Sequence, residues 1–522
     1  MNSNRKVYLV GGGIGSLSAA AFLIRDGKIP GSRISILEEA PILGGCLDGA
    51  GDPETGYRLR GGRMLTTDNY ECTWDLYKSI PSLTASGTVF DEIVAFNEKH
   101  PSHSMARLVD RRRAKVPVSS MGFSMQDRLE LLRLCTTDEK VLEGTRITDW
   151  LSPSFFETAF WSMWVTTFAF QPWHSAIELK RYFHRFMLEF SRIETLAGVK
   201  RTVYNQYDSL VRPLQAWLQK GGVHFIVRST VVDLDYETQD GKLVVTGLHC
   251  EREGRAEYLA VGEGDLVFVQ NGSMVDASSF GSMTSAPVKL TRADSMSWHL
   301  WEKLAAGRSD FGNPKAFNSA IAQSFWESFT VTVKSSAFFD EMTKFSGNEP
   351  GTGGLVTFRD SNWLMSIVLY HQPHFIDQPA GIFVFWGYAL FPDRIGNFVA
   401  KPMAECSGQE IVHELLGHLR FEPETLEGAI CIPCRMPFIT SMFMPRLQSD
   451  RPLPVPKASK NLAFVSQFVE IPDEVVFTVE FSIRAAQTAV YQLLEIDREV
   501  PRISPHDKAL KTQLEALIKA FR

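Results

Sequence analysis

Residues 11–16 read Gly-Gly-Gly-Ile-Gly-Ser, directly after the apolar run Val7-Tyr8-Leu9-Val10 and before an Ala-rich stretch through Leu23. Strand, tight turn and helix start, in that order, suit the pyrophosphate of a dinucleotide. Gly11 makes the turn, and Gly13 lets the backbone come up to the phosphates. Ile14, Gly15 and Ser16 open the helix, whose unpaired N–H groups and positive dipole end face an anion. Ser16 stands where a third glycine is usual, and its small side chain still permits close helix–strand packing. A second strand, 33–37, leads to Glu38, and an acid at a strand end about 20 residues past such a turn hydrogen-bonds a ribose hydroxyl. Other reactive groups offer less. Cys431-Ile432-Pro433-Cys434 lacks the second half of a zinc site, so it reads as packing cysteines and no metal is expected. His174 and His184 could serve as acids, but hydrogen-bonded structural histidines are the favoured reading. No HExxH, GxSxG or Walker-type string occurs.

The elements around these residues indicate which dinucleotide is bound. Glu38 and Glu39 are followed by Ala40, Pro41 and then Leu43-Gly44-Gly45. Acid, short spacer and Gly-Gly ending at Gly45 resemble the FAD-binding arrangement of amine oxidases and desaturases, so FAD is the expected cofactor. Residues 461–465 read as a strand, with a helix from about Ser482. In flavoproteins of this kind the last strand and helix return to the flavin, which brings Phe477 and Thr478 to the cofactor. Strand 265–269 runs into Asn271-Gly272-Ser273, a small-residue loop suited to the floor of a flavin site. The expected fold is α/β: a discontinuous Rossmann-like FAD-binding domain with inserted substrate-binding and helical lid regions. Its segments are 1–119 (FAD-binding, with a flavin-facing loop), 120–195 (aromatic-rich helical lid), 196–285 (FAD-binding), 286–454 (substrate-binding), 455–500 (FAD-binding) and 501–522 (amphipathic helix). Residues 451–456, rich in proline, read as a linker.

Bulk properties are those of an ordinary soluble chain: 522 residues, 44% hydrophobic, 22% charged. A net charge of -6 gives no electrostatic reason to expect nucleic acid. The seven cysteines are scattered, which fits a reducing cytoplasm better than a disulfide framework. The N-terminus lacks the pattern of a secretory signal, and no run of about 18 apolar residues occurs. A cytoplasmic location is expected, as a monomer or a homodimer. In the tail, Leu510, Leu514, Leu517, Ile518 and Phe521 share one helical face flanked by Lys508, Lys511, Lys519 and Arg522. Such a helix either docks on its own domain or makes peripheral contact with an anionic bilayer at the inner membrane surface.

Longer strings carry a resemblance. RGGRM followed by ECTWDLYKSIPSL, then FAFQPWHSAIELKRYFHRF, RTVYNQYDSL, DLVFVQNGSM, HQPHF, FWGYALFPD and the segment from AFVSQFVEIPDEVVFTVEF to AVYQLL are similar to the oleate hydratases, also called myosin-cross-reactive antigens. The likeness runs from about residue 5 to 495. It implies a lyase that adds water to the cis double bond of a free unsaturated fatty acid, requiring FAD without net redox turnover. By the resemblance Tyr182 is the proton donor to the alkene, with Tyr204 and Tyr207 as rivals. The loop Arg60, Gly61, Gly62, Arg63, Met64 lies along the flavin. Gln206 contacts substrate near its carboxylate.

Two departures stand out. The family's glutamate after the second arginine, which positions or activates water, is replaced here by Met64, as in a subset of members. Either Asp68 or Glu71 reaches in, or water attack needs no strong base, because a carbocation traps neutral water. Where many members have TINRQPH, this chain has Val368 and Tyr370 in place of Thr and Asn, while His374 remains; the carboxylate would be held by His374, Gln206 and Tyr370. Competing readings are an FAD-dependent oxidoreductase of the desaturase or amine-oxidase type, a fatty acid double-bond isomerase, and a flavin- and lipid-binding protein without catalysis.

Overall fold

The computed structural model describes residues 5–62, 64–352 and 354–521. The apolar runs read from the sequence form a five-stranded sheet, all parallel, in the spatial order Leu462–Phe464, Leu266–Val269, Val7–Val10, Ile34–Glu38, His224–Val227. Three of these strands, Val7–Val10, Leu266–Val269 and Leu462–Phe464, are buried throughout, as a parallel sheet covered on both faces requires. Successive strands depart to opposite sides of Val7–Val10, so the glycine turn at its carboxyl end sits at a topological switch point, the place where such sheets bind ligands. Helix Ile14–Arg25 packs beside helix Val479–Leu493, tying the first and last parts of the fold together. That last helix begins at Val479, three residues ahead of its expected start.

A second sheet has seven strands: Ser279–Phe280, Ile430–Met436, Trp326–Val333, Phe383–Ala389, Met365–Leu369, Leu355–Phe358 and Leu108–Val109. All neighbours pair antiparallel except the last two. Its end strands are therefore contributed by the segments 1–119 and 196–285. Strand alternation gives the sheet two faces. Phe329, Val331 and Val333 point into a separate apolar core under helices Ala337–Ser346 and Gly408–Leu419. Trp326, Thr330 and Thr332 point the other way. Thr332 and Thr330 accept hydrogen bonds at 2.9 and 3.0 Å from the backbone of Tyr57 and Leu59, docking the hairpin Gly49–Asp52/Gly56–Leu59.

Region 120–195 is helical, with Met125–Thr136, Ala159–Phe168 and Ala176–Arg185 as its main helices. The stretch 451–456 is not a free linker. The Arg451 guanidinium is buried against Glu178 at 3.1 Å, and the carbonyls of Pro452 and Pro454 accept from Glu470 and Phe464. Prolines lack a donor but keep an acceptor, and here that acceptor holds the segment in the core.

Candidate functional site

The first element of the site is a cleft at the glycine turn. Gly11 has φ +89, which a side chain would oppose. Its walls include Gly11, Gly13, Glu38, Glu39, Gly45, Arg60 and Ser273. Ile14, Gly15 and Ser16 form the buried helix start behind it. The close approach falls at Gly15, where an added Cβ would lie 2.4 Å from the Val465 carbonyl oxygen. Glu38 accepts from the backbone N–H groups of Gly12 and Ala40, fixing the turn. Glu39 is pushed up to about 7 by burial, with Asp276 and Glu38 adding repulsion. Arg60 donates to both carboxylate oxygens of Asp48 at 2.9 and 3.0 Å, and its Nη1 is buried with no hydrogen-bond partner. Gln270, which the sequence does not single out, lies across the turn, its Nε2 3.0 Å from the Ser16 hydroxyl.

The loop after Arg60 leads from this cleft into three adjoining cavities. Gly62 lines all of them, and Gly61 lines the one at the Gln206 end. Arg63 lies outside the described residues. Met64 is held by its carbonyl, which accepts from the Tyr70 hydroxyl at 3.1 Å, and the next residue pairs Leu65 with Lys200. A cavity is walled by Met64, Tyr182, Phe168, Phe186, Phe477 and Thr478 among others. Tyr182, on helix Ala176–Arg185, is 1% exposed and donates its hydroxyl to the Val476 carbonyl at 2.6 Å. Phe168 and Phe170 meet its ring edge to face, with centroids at 5.2 and 4.9 Å. The Val476–Thr478 turn is shaped by Gln467, which accepts from Phe477 N–H and donates to the Thr478 carbonyl at 2.9 Å. Phe477 takes φ +68, and Thr478 caps the following helix.

The other end is polar. Tyr370 and Val368 line the second cavity; Gln206, Tyr370 and His374 line the third. The rings of Tyr370 and His374 stack at 3.7 Å with 4° between planes. Burial, with His371 nearby, pushes His374 down to about 3, so it is neutral at ordinary pH. Gly62 leaves room for this stack: a Cβ there would come within 2.6 Å of the Tyr370 hydroxyl.

Some expected residues are not brought in. Asp68 lies at the surface, its side chain 45% exposed and 3.6 Å from Arg192, because the turn at Thr66–Asn69 directs it outward. Glu71 faces Arg185, Arg484 and the Ser504 N–H; burial opposes its ionisation, but Arg185 prevails and holds it at about 2. Neither carboxylate lines the cavity with Met64. Glu189 does, paired with Arg192 at 2.6 Å, and among the described residues it is the one acid on that wall. Asn271 turns away from the cleft to donate to the Phe468 carbonyl and accept from Ser466. Tyr204 and Tyr207 line none of the three cavities. His174 accepts from the Gln171 N–H, and His184 bonds Asp507 and the Cys135 carbonyl, both structural roles. Cys431 and Cys434 sit in different cores on opposite faces of one strand, so they cannot share an ion. Gln270, Gln467, Glu189 and Arg201 are not singled out from the sequence, although all but Glu189 lie in the strings that carry the resemblance; folding brings them to the site.

A parallel sheet with a glycine turn at its switch point, joined to a mainly antiparallel sheet over mainly apolar cavities, defines a Rossmann-like α/β protein. Residues 4–491 match the MCRA family, and the chain belongs to it. It is 39% identical over 533 residues to an oleate hydratase of Streptococcus pyogenes serotype M49, covering 99% of this chain and 89% of that protein. To a linoleate hydratase of Lactiplantibacillus plantarum it is 34% identical over 563 residues, covering 99% and 98%. Among solved structures, the cyclohexylamine oxidase of Brevibacterium oxydans shares the fold with a TM-score of 0.51 at 12% identity, covering 94% of this chain and 99% of that one.

Proposed function

We propose that the protein adds water across the cis double bond of a free, oleate-like fatty acid, giving a hydroxy fatty acid, with FAD bound and no net oxidation or reduction. The observation that carries this reading is Tyr182: a phenol on the wall of a mainly apolar cavity that also holds Gly62, Met64 and Phe477. The two hydratase relatives support it. An isolated alkene is a very weak base, so a phenol protonates it only when held at the right carbon. The phenolic O–H breaks as a C–H bond forms, and the neighbouring carbon becomes cationic. The faces of Phe168, Phe186 and Phe477 suit that charge in a dry chamber. Water adds its oxygen to the cation and then releases a proton, restoring the phenol. Met64 accepts no proton, and a carbocation does not require that it should.

The cleft residues fit FAD. Gly11 and Gly13 with the helix start would hold the diphosphate, Glu38 the ribose, and the buried unpartnered Nη1 of Arg60 gives a donor for an anionic or carbonyl group. Gly61, Gly62, Met64, Phe477 and Thr478 are the residues that would face the flavin, which when bound would supply a polarisable surface for the developing charge. The test incubates FAD-loaded protein with oleate and analyses products by mass spectrometry. A product heavier by one water, with no oxygen consumed, is expected; oxygen-dependent desaturation would sink the reading in favour of an oxidoreductase.

The tail supports a peripheral membrane contact. Helix Leu510–Ala520 is docked by Lys519 against Glu194 and by buried Thr512, leaving Leu510, Leu514, Leu517, Ile518 and Phe521 outward, each 48–71% exposed. Beside it helix Met125–Thr136 presents Met125, Leu129 and Leu132, and Arg128 lies 4.5 Å over the Phe521 ring. An apolar strip edged by basic residues suits an anionic bilayer surface. Flotation with anionic vesicles should carry the wild-type chain up, and Leu514→Glu with Leu517→Glu should leave it in the soluble fraction; equal flotation would refute the contact.

A further inference from the structure

Arg201 lies where the second and third cavities meet, lining both the one with Val368 and Met64 and the one with Gln206 and His374. Asn97 clamps its backbone, accepting from the Arg201 N–H at 2.9 Å and donating to its carbonyl at 2.7 Å. The side chain is half-buried, its Nε is buried without a partner, and among the described residues the guanidinium has no hydrogen bond and no ion pair. The buried arginines Arg181, Arg185, Arg446, Arg451 and Arg484 each face at least one carboxylate. Arg107 has none but donates to the carbonyls of Leu355 and Ile193 and to the Thr167 hydroxyl. Arg107 is also near enough to oppose the charge on Arg201. No carboxylate lines either cavity among the described residues. His374 is neutral, and Val368 offers no hydrogen bond. A half-buried cation without a counter-ion carries part of the cost of desolvation, and an anion delivered from outside relieves it.

We propose that Arg201 binds the carboxylate of the fatty acid and so fixes the direction in which the chain lies, headgroup at Arg201 and hydrocarbon running past Gly62 and Met64 towards Tyr182. This rests on the fatty acid reading above and adds to it a charged anchor on a segment away from residues 368–374. Guanidinium and carboxylate match as a two-toothed pair. A neutral headgroup would leave the charge uncompensated, so free acids are selected over alcohols or esters.

The test compares dodecanoate with dodecan-1-ol, neither of which can be hydrated, by tryptophan fluorescence of FAD-loaded protein; Trp326 and Trp386 line the same cavity. Wild type should prefer the acid by about tenfold or more. Arg201→Gln should weaken dodecanoate by roughly ten- to a hundredfold and leave the alcohol little changed. Arg201→Lys should keep the preference at intermediate affinity, and Arg201→Met replaces the Gln variant should that one fail to fold. With oleate, Arg201→Gln should raise KM far more than it lowers kcat. Unchanged dodecanoate binding, or equal weakening of acid and alcohol, overturns the anchor. Failure of the wild type to hydrate oleate would instead sink the hydratase reading and leave the dodecanoate result standing.

Discussion

In the proposed reaction Tyr182 is the residue on which the chemistry turns, and its surroundings bear on how a phenol would be used. Burial and the bond to the Val476 carbonyl fix the orientation of its ring beside the cavity, and in the proposed step the hydroxyl turns its proton from that carbonyl to the alkene, so position matters more than acidity. Tyr182→Phe should lower hydration by about a hundredfold or more, while flavin binding, followed by visible absorbance, persists; full activity would refute the assignment. Gly62 permits a second, finer test. A Cβ there meets the Tyr370 hydroxyl at 2.6 Å, while the next ring atom stands at 3.6 Å. Gly62→Ala should therefore lower kcat/KM, and adding Tyr370→Phe should recover part of the loss. A double variant no better than the single one would show that the clash lies elsewhere.

Strands and helices set where these groups meet. Helix Ile14–Arg25 reaches the loop after strand Leu462–Phe464 only because position 15 has no side chain, with the Val465 carbonyl 2.4 Å from a would-be Cβ. Gly15→Ala should destabilise the fold by about 1–3 kcal/mol, read as a lower urea midpoint, and weaken FAD retention. The packed histidines predict the pH response. His174 and His374 are pushed down to about 3 by burial, from 6.5. Their folded values lie below the unfolded one, so the unfolded chain binds more protons between those limits. Stability should fall as pH drops from about 6.5 towards 3. Thermal melts from pH 7.5 to 4.5 check this, and His374→Gln should flatten the slope; an unchanged slope would mean His374 does not contribute.

Across the chain as a whole, the parallel sheet is assembled from three distant segments, and the seven-stranded sheet takes its end strands from two of them. Chain ends and middle are thus one cooperative unit. Truncation before residue 455 would remove strand Leu462–Phe464, Gln467 and helix Val479–Leu493 together. Such a chain should fail to give soluble, FAD-loaded protein, as judged by gel filtration and absorbance; a soluble yellow product would show that the sheet closes without its last strand.

What could be read directly were features with local causes. The glycine turn, the strand before it and the acid after it depend on neighbours along the chain, and the structure places Gly11, Gly13, Glu38, Glu39 and Gly45 around one cleft. Apolar runs also announced the strands. Tertiary packing decided the rest. Asp68 and Asn271 looked suited to the site but are turned away from it, one by a turn and one by a buried hydrogen bond. Gln467 and Arg201 lie in strings that carry the resemblance, but their roles, like that of Glu189, come from what lies across a cavity. Short-range sterics are encoded in a few adjacent residues, whereas the partner of a buried charge is fixed only once the whole interior has closed around it.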